Sequence, residues 1–305
     1  GVLTFLAQHG SQFGILAQQA EDEIAAVNMA VGAWYAGARA LVTTSGGGFA
    51  LMEEGISLAG MIESPLVIHL AQRPGPATGL PTRTEQGDLE LALYSGHGDF
   101  PRAIFTPGDL HQAFDLGRQA FSLADEFQIP VFVLSDQYFV DSYYDTEPFD
   151  TSDLTIERHI VETDDTYRRY EDTDSGISPR GIPGYGTGLV GVDSDEHDAA
   201  GHITESHEVR TAMVEKRLCK YDGLVERALP PDVYGFEDAS VMVVAWGSTL
   251  PVLSEALERI DDGSVALVHF TQVYPLADSA SEILGNADKI IVVENNVSGQ
   301  FARVL

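Results

Sequence analysis

The sequence predicts an α/β protein with two parallel-sheet domains. Apolar runs of strand length alternate with segments of helical spacing, and near-continuous apolar runs suit parallel strands covered on both faces. The alternation stops at residue 143 and resumes after about residue 205, and the stretch between is acidic and rich in turn signals. The expected units are residues 1–142, a connector with one helix over 143–236, and a second sheet domain over 237–305.

The elements follow in order. "FGILAQQA" (13–20) reads as a strand. "DEIAAVNMAVGAWYAG" (22–37) sets Ile24, Val27, Val31 and Trp34 at helical spacing. "ARALVTT" (38–44) is a strand that runs into Gly46, Gly47 and Gly48, and a helix is expected over 49–62. "SPLVIHLAQ" (64–72) is a strand leading to the Gly/Pro-rich loop "RPGPATGLPTRTEQGD" (73–88). A helix over 109–128 precedes the strand "IPVFVLSD" (129–136). The connector holds "SPRGIPGYGTG" (178–188), a stretch too long and irregular for a simple link, hence functional or disordered. A helix over 207–228 leads to "ASVMVVAWGS", "SVALVHF" and "KIIVVENN", read as three parallel strands.

With 305 residues, 44% of them hydrophobic, the chain suits two globular domains. No apolar run reaches the roughly 18 residues that span a bilayer, and no secretory leader pattern opens the chain. It starts at Gly1 and ends in "FARVL", inside an expected helix, so both ends are expected to be cut from a longer protein. The formal charge is −30, and three of the 17 basic residues are lysine: Lys216, Lys220 and Lys289. That balance fits a surface adapted to high salt, where ions screen self-repulsion; an ordinary acidic cytoplasmic protein is the alternative. With no basic patch, nucleic-acid binding is disfavoured. Cys219 is the one cysteine, so no intrachain disulfide or cysteine-ligated cluster can form, and it fits a reducing compartment.

Several residues invite a chemical reading. Gly46–Gly48 form either a tight strand-to-helix turn or a loop that lets a ligand approach the backbone. The dinucleotide fingerprint is excluded because Leu51 stands where its third glycine belongs. Glu23 opens a helix, where a carboxylate is favoured by the dipole whatever its role. Arg73 follows a buried strand at the edge where open α/β sheets bind ligands. With Thr78, Thr82 and Arg83 it makes a plausible carboxylate clamp, or else pairs with surface acids. His97 lies on a Gly-flanked loop and is read as facing the site or as capping the loop. His197, His202 and His207 recur every five residues, a spacing that matches no zinc pattern. A polar connector folded against a partner is the preferred reading there.

Taken together, "EDEIAAVNMAVGAWYAGARALVTTSGGGFALM", "LAQRPGPATGLPTRTEQGDL", "GISPRGIPG", "DSDEHDAAGHITE" and "VVENNVSGQ" resemble the α subunit of 2-oxoacid:ferredoxin oxidoreductases, most closely the 2-oxoglutarate type. The resemblance covers essentially the whole chain. It implies a thiamine pyrimidine-binding domain followed by a transketolase C-terminal-like domain. It places Thr44, Ser45, Gly46, Gly47, Gly48 and Phe49 beside the pyrimidine of thiamine diphosphate. Glu23 matches the activating glutamate that hydrogen-bonds the pyrimidine ring and favours its imino tautomer. Arg73 matches the arginine that holds the substrate carboxylate, and Thr82 helps to place the rest of the substrate. The implied reaction is oxidative decarboxylation of a 2-oxoacid, 2-oxoglutarate before pyruvate or a branched-chain acid. Coenzyme A takes the acyl group and ferredoxin the electrons. Mg²⁺ and a [4Fe–4S] cluster are expected on a β subunit, because this chain has neither cluster cysteines nor a GDG–Asn motif. A heterodimer or a dimer of heterodimers in the cytoplasm is implied. The family's Tyr-Pro-Ile-Thr-Pro stretch, expected before "LTFLAQHG", is missing. A non-catalytic interaction subunit is the reading of another class.

The charge balance generates one prediction. If the surface is salt-adapted, the melting temperature rises between low salt and molar KCl; equal melting temperatures would remove the idea.

Overall fold

A computed structural model describes residues 2–152, 154–236, 238–260 and 263–305. Residue 237, where the sequence reading starts the second domain, lies outside the described residues.

The first departure from the sequence reading is at the start. Helix α1 (Val2–His9) and a 3-10 turn (Gly10–Phe13) precede an irregular segment, and no strand forms over 13–20. Gly14 is in the left-handed region (φ 68°), which interrupts a strand there. Phe13 and Leu16 are exposed rather than packed. Helix α2 (Glu23–Tyr35) starts from a clear cap: the Asp22 carboxylate accepts the Ala25 N–H at 2.8 Å. Its inner face is Val27, Ala30, Val31 and Trp34. Strand β1 (Leu41–Ser45) follows.

Of the two readings of the glycine stretch, the strand-to-helix turn is the one that forms: Gly46–Gly48 follow β1 directly as the first turn of a short helix, α3 (Gly46–Ala50). The single helix expected over 49–62 is instead divided between α3 and α4 (Glu53–Met61). None of the three glycines has positive φ. Their requirement is space, as the site geometry shows.

Strand β2 (Leu66–Gln72) pairs in parallel with β1, Ser45 opposite Ala71. Helix α5 (Leu89–Leu93) and strand β3 (Ala103–Phe105) are short elements that the periodicity does not announce. Helix α6 (Leu110–Phe127) packs Leu116, Ala120, Ala124 and Phe127 against the sheet. Strand β4 (Pro130–Asp136) enters beside β2, and α7 (Gln137–Asp141) ends this part. After the connector come α8 (His207–Glu226), β5 (Asp232–Tyr234), β6 (Val241–Trp246), α9 (Leu250–Ile260), β7 (Val265–Phe270), β8 (Gln272–Tyr274), α10 (Ser279–Leu284), β9 (Lys289–Val292) and α11 (Gln300–Val304).

The first sheet has the order β1-β2-β4-β3-β8 and the second β5-β7-β6-β9. All pairs are parallel except β3–β8 and β5–β7. Strand β8 leaves the second half of the chain to finish the first sheet. One apolar cluster runs from Val27 and Phe49 through Ile68 to Trp246, Phe270 and Phe301, so the two sheets share a core.

The connector is fastened by buried charge. Asp125 on α6 is fully buried and pairs with Arg39 at 2.6 Å and with Arg180. Glu63, just after α4, pairs with Lys216 at 2.7 Å and Lys220 at 2.5 Å, both on α8. Arg169 from the connector donates to the Glu63 carbonyl at 2.6 Å. Burial alone would raise the Glu63 carboxyl, but the two ammonium groups outweigh it and hold it at about 2. Its contribution is therefore present above the ordinary carboxyl range and is lost as pH falls toward 2. Removing one partner of such a buried group costs about 3–5 kcal/mol. Lys220→Met is expected to lower the melting temperature by that loss at pH 7, and a melting temperature within a degree of wild type would show that α8 is held otherwise.

Candidate functional site

The site lies at the C-terminal edge of the first sheet, where β1 and β2 end side by side and α2 begins. Glu23 is the first residue of α2 and is half-buried. Thr44, near the end of β1, donates its hydroxyl to Glu23 Oε1 at 3.4 Å. Gly48 faces both: a Cβ there would stand 2.1 Å from Thr44 Oγ1 and 2.4 Å from Glu23 Oε1. Gly46 faces the opposite way, where a Cβ would be 2.6 Å from an Asp88 carboxyl oxygen. Gly47 faces open space. The turn is glycine because side chains crowd it from two directions while its third side is left open. Ser45 offers no side-chain cap to α3. Phe49 turns away, its ring buried edge-on to Phe132 at 5.3 Å.

Arg73 is the first residue past β2. Its Nε is buried without a hydrogen-bond partner, and among the described residues its guanidinium makes no ion pair. The loop beyond it folds back, Leu80 N–H donating to the Pro74 carbonyl at 3.1 Å. Ala77 (φ 54°) and Gly79 (φ 51°) both occupy the left-handed region that makes this reversal. Thr78 and Thr82 are exposed, and Thr82 accepts from Arg83 Nη1 through its carbonyl at 2.8 Å and its hydroxyl at 3.2 Å. The structure thus ties Thr82 to Arg83, not to Arg73.

Sequence reasoning missed Asp88 and the segment around it. Burial and the nearby Glu85 push the Asp88 carboxyl up, against the pull of Arg73, to about 6. Asp88 N–H donates to Gln72 Oε1 at 3.1 Å. Gln86 is fully buried: its Nε2 donates to the Trp246 carbonyl at 2.7 Å, its N–H to the Asn295 carbonyl at 2.8 Å, and its Oε1 accepts Asn295 N–H at 2.9 Å. Asn296 Nδ2 donates to the Gln86 carbonyl at 3.1 Å and Gln300 Nε2 to the Gly87 carbonyl at 2.8 Å. The "VVENNVSGQ" stretch therefore holds the "EQGD" stretch. The sequence signal was the presence of both motifs; nothing in it joined them.

The other candidates lie elsewhere. His97 is exposed and offers its carbonyl to Ser57 Oγ at 2.8 Å, a loop contact. His197 is buried against Tyr170 with ring centroids 3.9 Å apart, His202 is exposed beside Asp198, and His207 opens α8. Among the described residues no group of three His, Cys, Asp or Glu side chains is placed to hold a metal ion. Cys219 is half-buried on α8, its Sγ 3.3 Å from the Asp174 carbonyl. No helix among the described residues is long and apolar enough to cross a membrane.

Residues 2–216 match the protein family described as "Pyruvate flavodoxin/ferredoxin oxidoreductase, thiamine diP-bdg". The chain belongs to this family. Its relatives are α subunits of 2-oxoacid:ferredoxin oxidoreductases. One is "2-oxoacid:ferredoxin oxidoreductase 1, subunit alpha" of Sulfurisphaera tokodaii, 40% identical over 94% of this chain and 46% of the relative. Another is "2-oxoglutarate synthase subunit KorA" of Methanothermobacter thermautotrophicus, 30% identical over 94% of this chain and 77% of the relative. The solved 2-oxoglutarate:ferredoxin oxidoreductase from Magnetococcus marinus, with 2-oxoglutarate, coenzyme A and succinyl-CoA bound, superposes with a TM-score of 0.92 at 33% identity, covering 99% of this chain and 54% of that one. The chain spans about half the length of several curated relatives that it matches. The expected α/β class with two parallel-dominated sheets agrees with both the fold and these matches.

The residues fit a thiamine pyrimidine. A half-buried carboxyl and a hydroxyl face Gly48, and no side chain comes within 4 Å of a Cβ built on the neighbouring Gly47, so the turn lets a flat ring come up to its backbone. Gly48 and Gly47 give opposite expectations. Gly48→Ala forces Thr44 and Glu23 apart and should cost about 1–3 kcal/mol, as overpacking does. Gly47→Ala meets no neighbour and gains helix propensity, so it should stabilise by about 0.5–1 kcal/mol. Thermal melting of the two variants checks the contrast; equal effects would show that space does not select these glycines.

Proposed function

We propose that this chain is the α part of a thiamine diphosphate-dependent 2-oxoacid:ferredoxin oxidoreductase, acting on 2-oxoglutarate. The observation that carries the reading is Glu23, its carboxyl facing Gly48, at the same sheet edge as an unpartnered Arg73 guanidinium. A planar guanidinium left without a carboxylate suits the carboxylate of an incoming acid, which it can hold through two parallel hydrogen bonds.

When bound, thiamine diphosphate supplies the nucleophilic carbon and the electron sink. Glu23 holds a proton at the pyrimidine ring nitrogen, with Thr44 orienting its carboxyl. Thr44, Ser45 and the Gly46–Gly48 turn let the ring approach the backbone, and Phe49 anchors that turn in the core. Arg73 binds the 2-oxoacid carboxylate and fixes the carbonyl next to it. Thr82 and Arg83 place the rest of the substrate, Arg83 being the candidate on this chain for the distal carboxylate of 2-oxoglutarate. The net reaction takes 2-oxoglutarate, coenzyme A and two oxidised ferredoxins to succinyl-CoA, carbon dioxide, a proton and two reduced ferredoxins.

A β subunit supplies what this chain lacks: Mg²⁺ with the diphosphate site, and the [4Fe–4S] cluster. The elements that carry the site also expose Ile24, Leu51 and Leu80, apolar side chains suited to a partner surface. The assembly is a heterodimer or a dimer of heterodimers, and its compartment is the cytoplasm. The substrate rests on the naming of several relatives as 2-oxoglutarate enzymes. Others are named for 2-oxoacids in general, which favours pyruvate or a branched-chain acid as the second reading.

The test is viologen reduction by the complex with its β subunit, dependent on thiamine diphosphate and coenzyme A, with 2-oxoglutarate, pyruvate and 2-oxoisovalerate in parallel. 2-Oxoglutarate should give the highest kcat/KM. Glu23→Gln should lower kcat about 10²- to 10⁴-fold, the usual range for a positioned proton-transfer group. Near-normal turnover in that variant would leave the chain a scaffold.

A further inference from the structure

Asp88 has no part in the mechanism above, yet it stands between two pieces of it. Its carboxyl lies over Gly46, the first residue of the glycine turn, and beside the backbone N–H of Arg73. The fit to Gly46 is close enough that any Cβ there would collide with all three carboxyl atoms, at 2.6–2.8 Å. One carboxyl oxygen, Oδ2, is buried with no hydrogen-bond partner. A half-buried carboxyl with one shielded and unmet oxygen is costly and is rarely retained without a reason.

Its backbone is over-determined. Gln72 holds the Asp88 N–H, and Gln86 and Gly87 before it are held by Trp246, Asn295, Asn296 and Gln300. Two residues on, the Glu90 N–H donates to Gln300 Oε1 at 3.0 Å. A side chain mounted this rigidly cannot drift with its loop. Yet Asp88 makes no ion pair with Arg73 among the described residues. It attracts the guanidinium without occupying it. The charged groups that face Asp88 are Arg73 from the end of β2 and Glu85 from its own segment, while α3 presents backbone and α11 presents the neutral Gln300.

We infer that Asp88 is a positioning residue of the 2-oxoacid site: it presents Arg73 to the substrate carboxylate and locks the glycine turn against it, and the second sheet domain holds it there. The inference rests on the reading of Arg73 as the carboxylate's partner, and the experiment separates the two.

In the reconstituted complex, KM for 2-oxoglutarate, KM for coenzyme A, kcat and melting temperature are measured for Asp88→Asn, Gly46→Ala and Arg73→Lys. Asp88→Asn keeps the shape and removes the charge. Gly46→Ala leaves Asp88 intact and pushes its carboxyl away. Both should raise the 2-oxoglutarate KM about tenfold or more, about 1.4 kcal/mol; Asp88→Asn should keep kcat and the coenzyme A KM within about threefold of wild type, whereas Gly46→Ala also alters the cofactor turn and is compared through the 2-oxoglutarate KM. Arg73→Lys should raise the same KM at least as far. If Arg73→Lys raises it while both other variants leave it within twofold, the Asp88 proposal fails alone. If Arg73→Lys also leaves it unchanged, the Arg73 reading fails first. In Asp88→Asn, a uniform loss in both KM values and kcat with a fall in melting temperature would assign Asp88 to the fold and overturn the proposal.

Discussion

Gln86 is the joint on which the rest of this arrangement depends. It is fully buried between the two sheets and satisfies its amide and its backbone against Trp246, Asn295 and Asn296. Buried amides are retained only when their hydrogen bonds are met. Here they are met by the other half of the chain. The consequence reaches the site directly, because Gln86 closes the loop that begins at Arg73. A Gly/Pro-rich loop exposed over residues 75–83 would otherwise be free to move. It is fixed at one end by β2 and at the other by residues 295–300. The second sheet thus holds the candidate site at the edge of the first without contributing a side chain to it.

The acidic composition takes on a different look once the charges are placed. Two of the three lysines, Lys216 and Lys220, are buried on Glu63 and do not belong to the surface. Arg180 is likewise buried on Asp125, and Arg217 on Glu196. Cations are therefore placed inside, where Lys216, Lys220 and Arg180 hold α8 and the connector to residues beside the first sheet and Arg217 holds α8 to the connector, and the surface is left more negative than the net charge suggests. A buried carboxylate between two ammonium groups is a poor source of stability compared with apolar packing. It is, however, selective about register: Glu63 accepts only an α8 that brings lysines four residues apart to the same face.

Much of the fold was legible because its strands are buried on both faces. Such strands announce themselves as unbroken apolar runs, which is why β2, β4, β6 and β7 appear where the sequence puts them. The failures share one cause. Residues 13–20 look like a strand by local pattern, but the chain turns at Gly14 and no neighbouring strand pairs with it. Strands β3 and β8 are three residues each, and they form through pairing with distant parts of the chain: β3 lies between β4 and β8, and β8 joins it from the far half of the sequence. Glu23, Arg73 and the glycine turn were singled out by position and by the family resemblance, and the structure sets them at one sheet edge. Asp88 was not, because its meaning lies in contacts to Gly46 and Arg73 that no local pattern encodes.

The three glycines are required by space and not by backbone conformation. All three are helical, and none has positive φ. What they provide is absence. Gly48 leaves room for Glu23 and Thr44, Gly46 for Asp88, and Gly47 leaves the surface bare. The turn therefore has two inner faces, each occupied by a carboxyl from another element, and one outer face open to whatever docks there. A helix start offers N–H donors to a ligand, but a five-residue helix makes a weak dipole. What this edge offers is therefore set by the side chains that the glycines admit, the carboxyls of Glu23 and Asp88, more than by the turn itself.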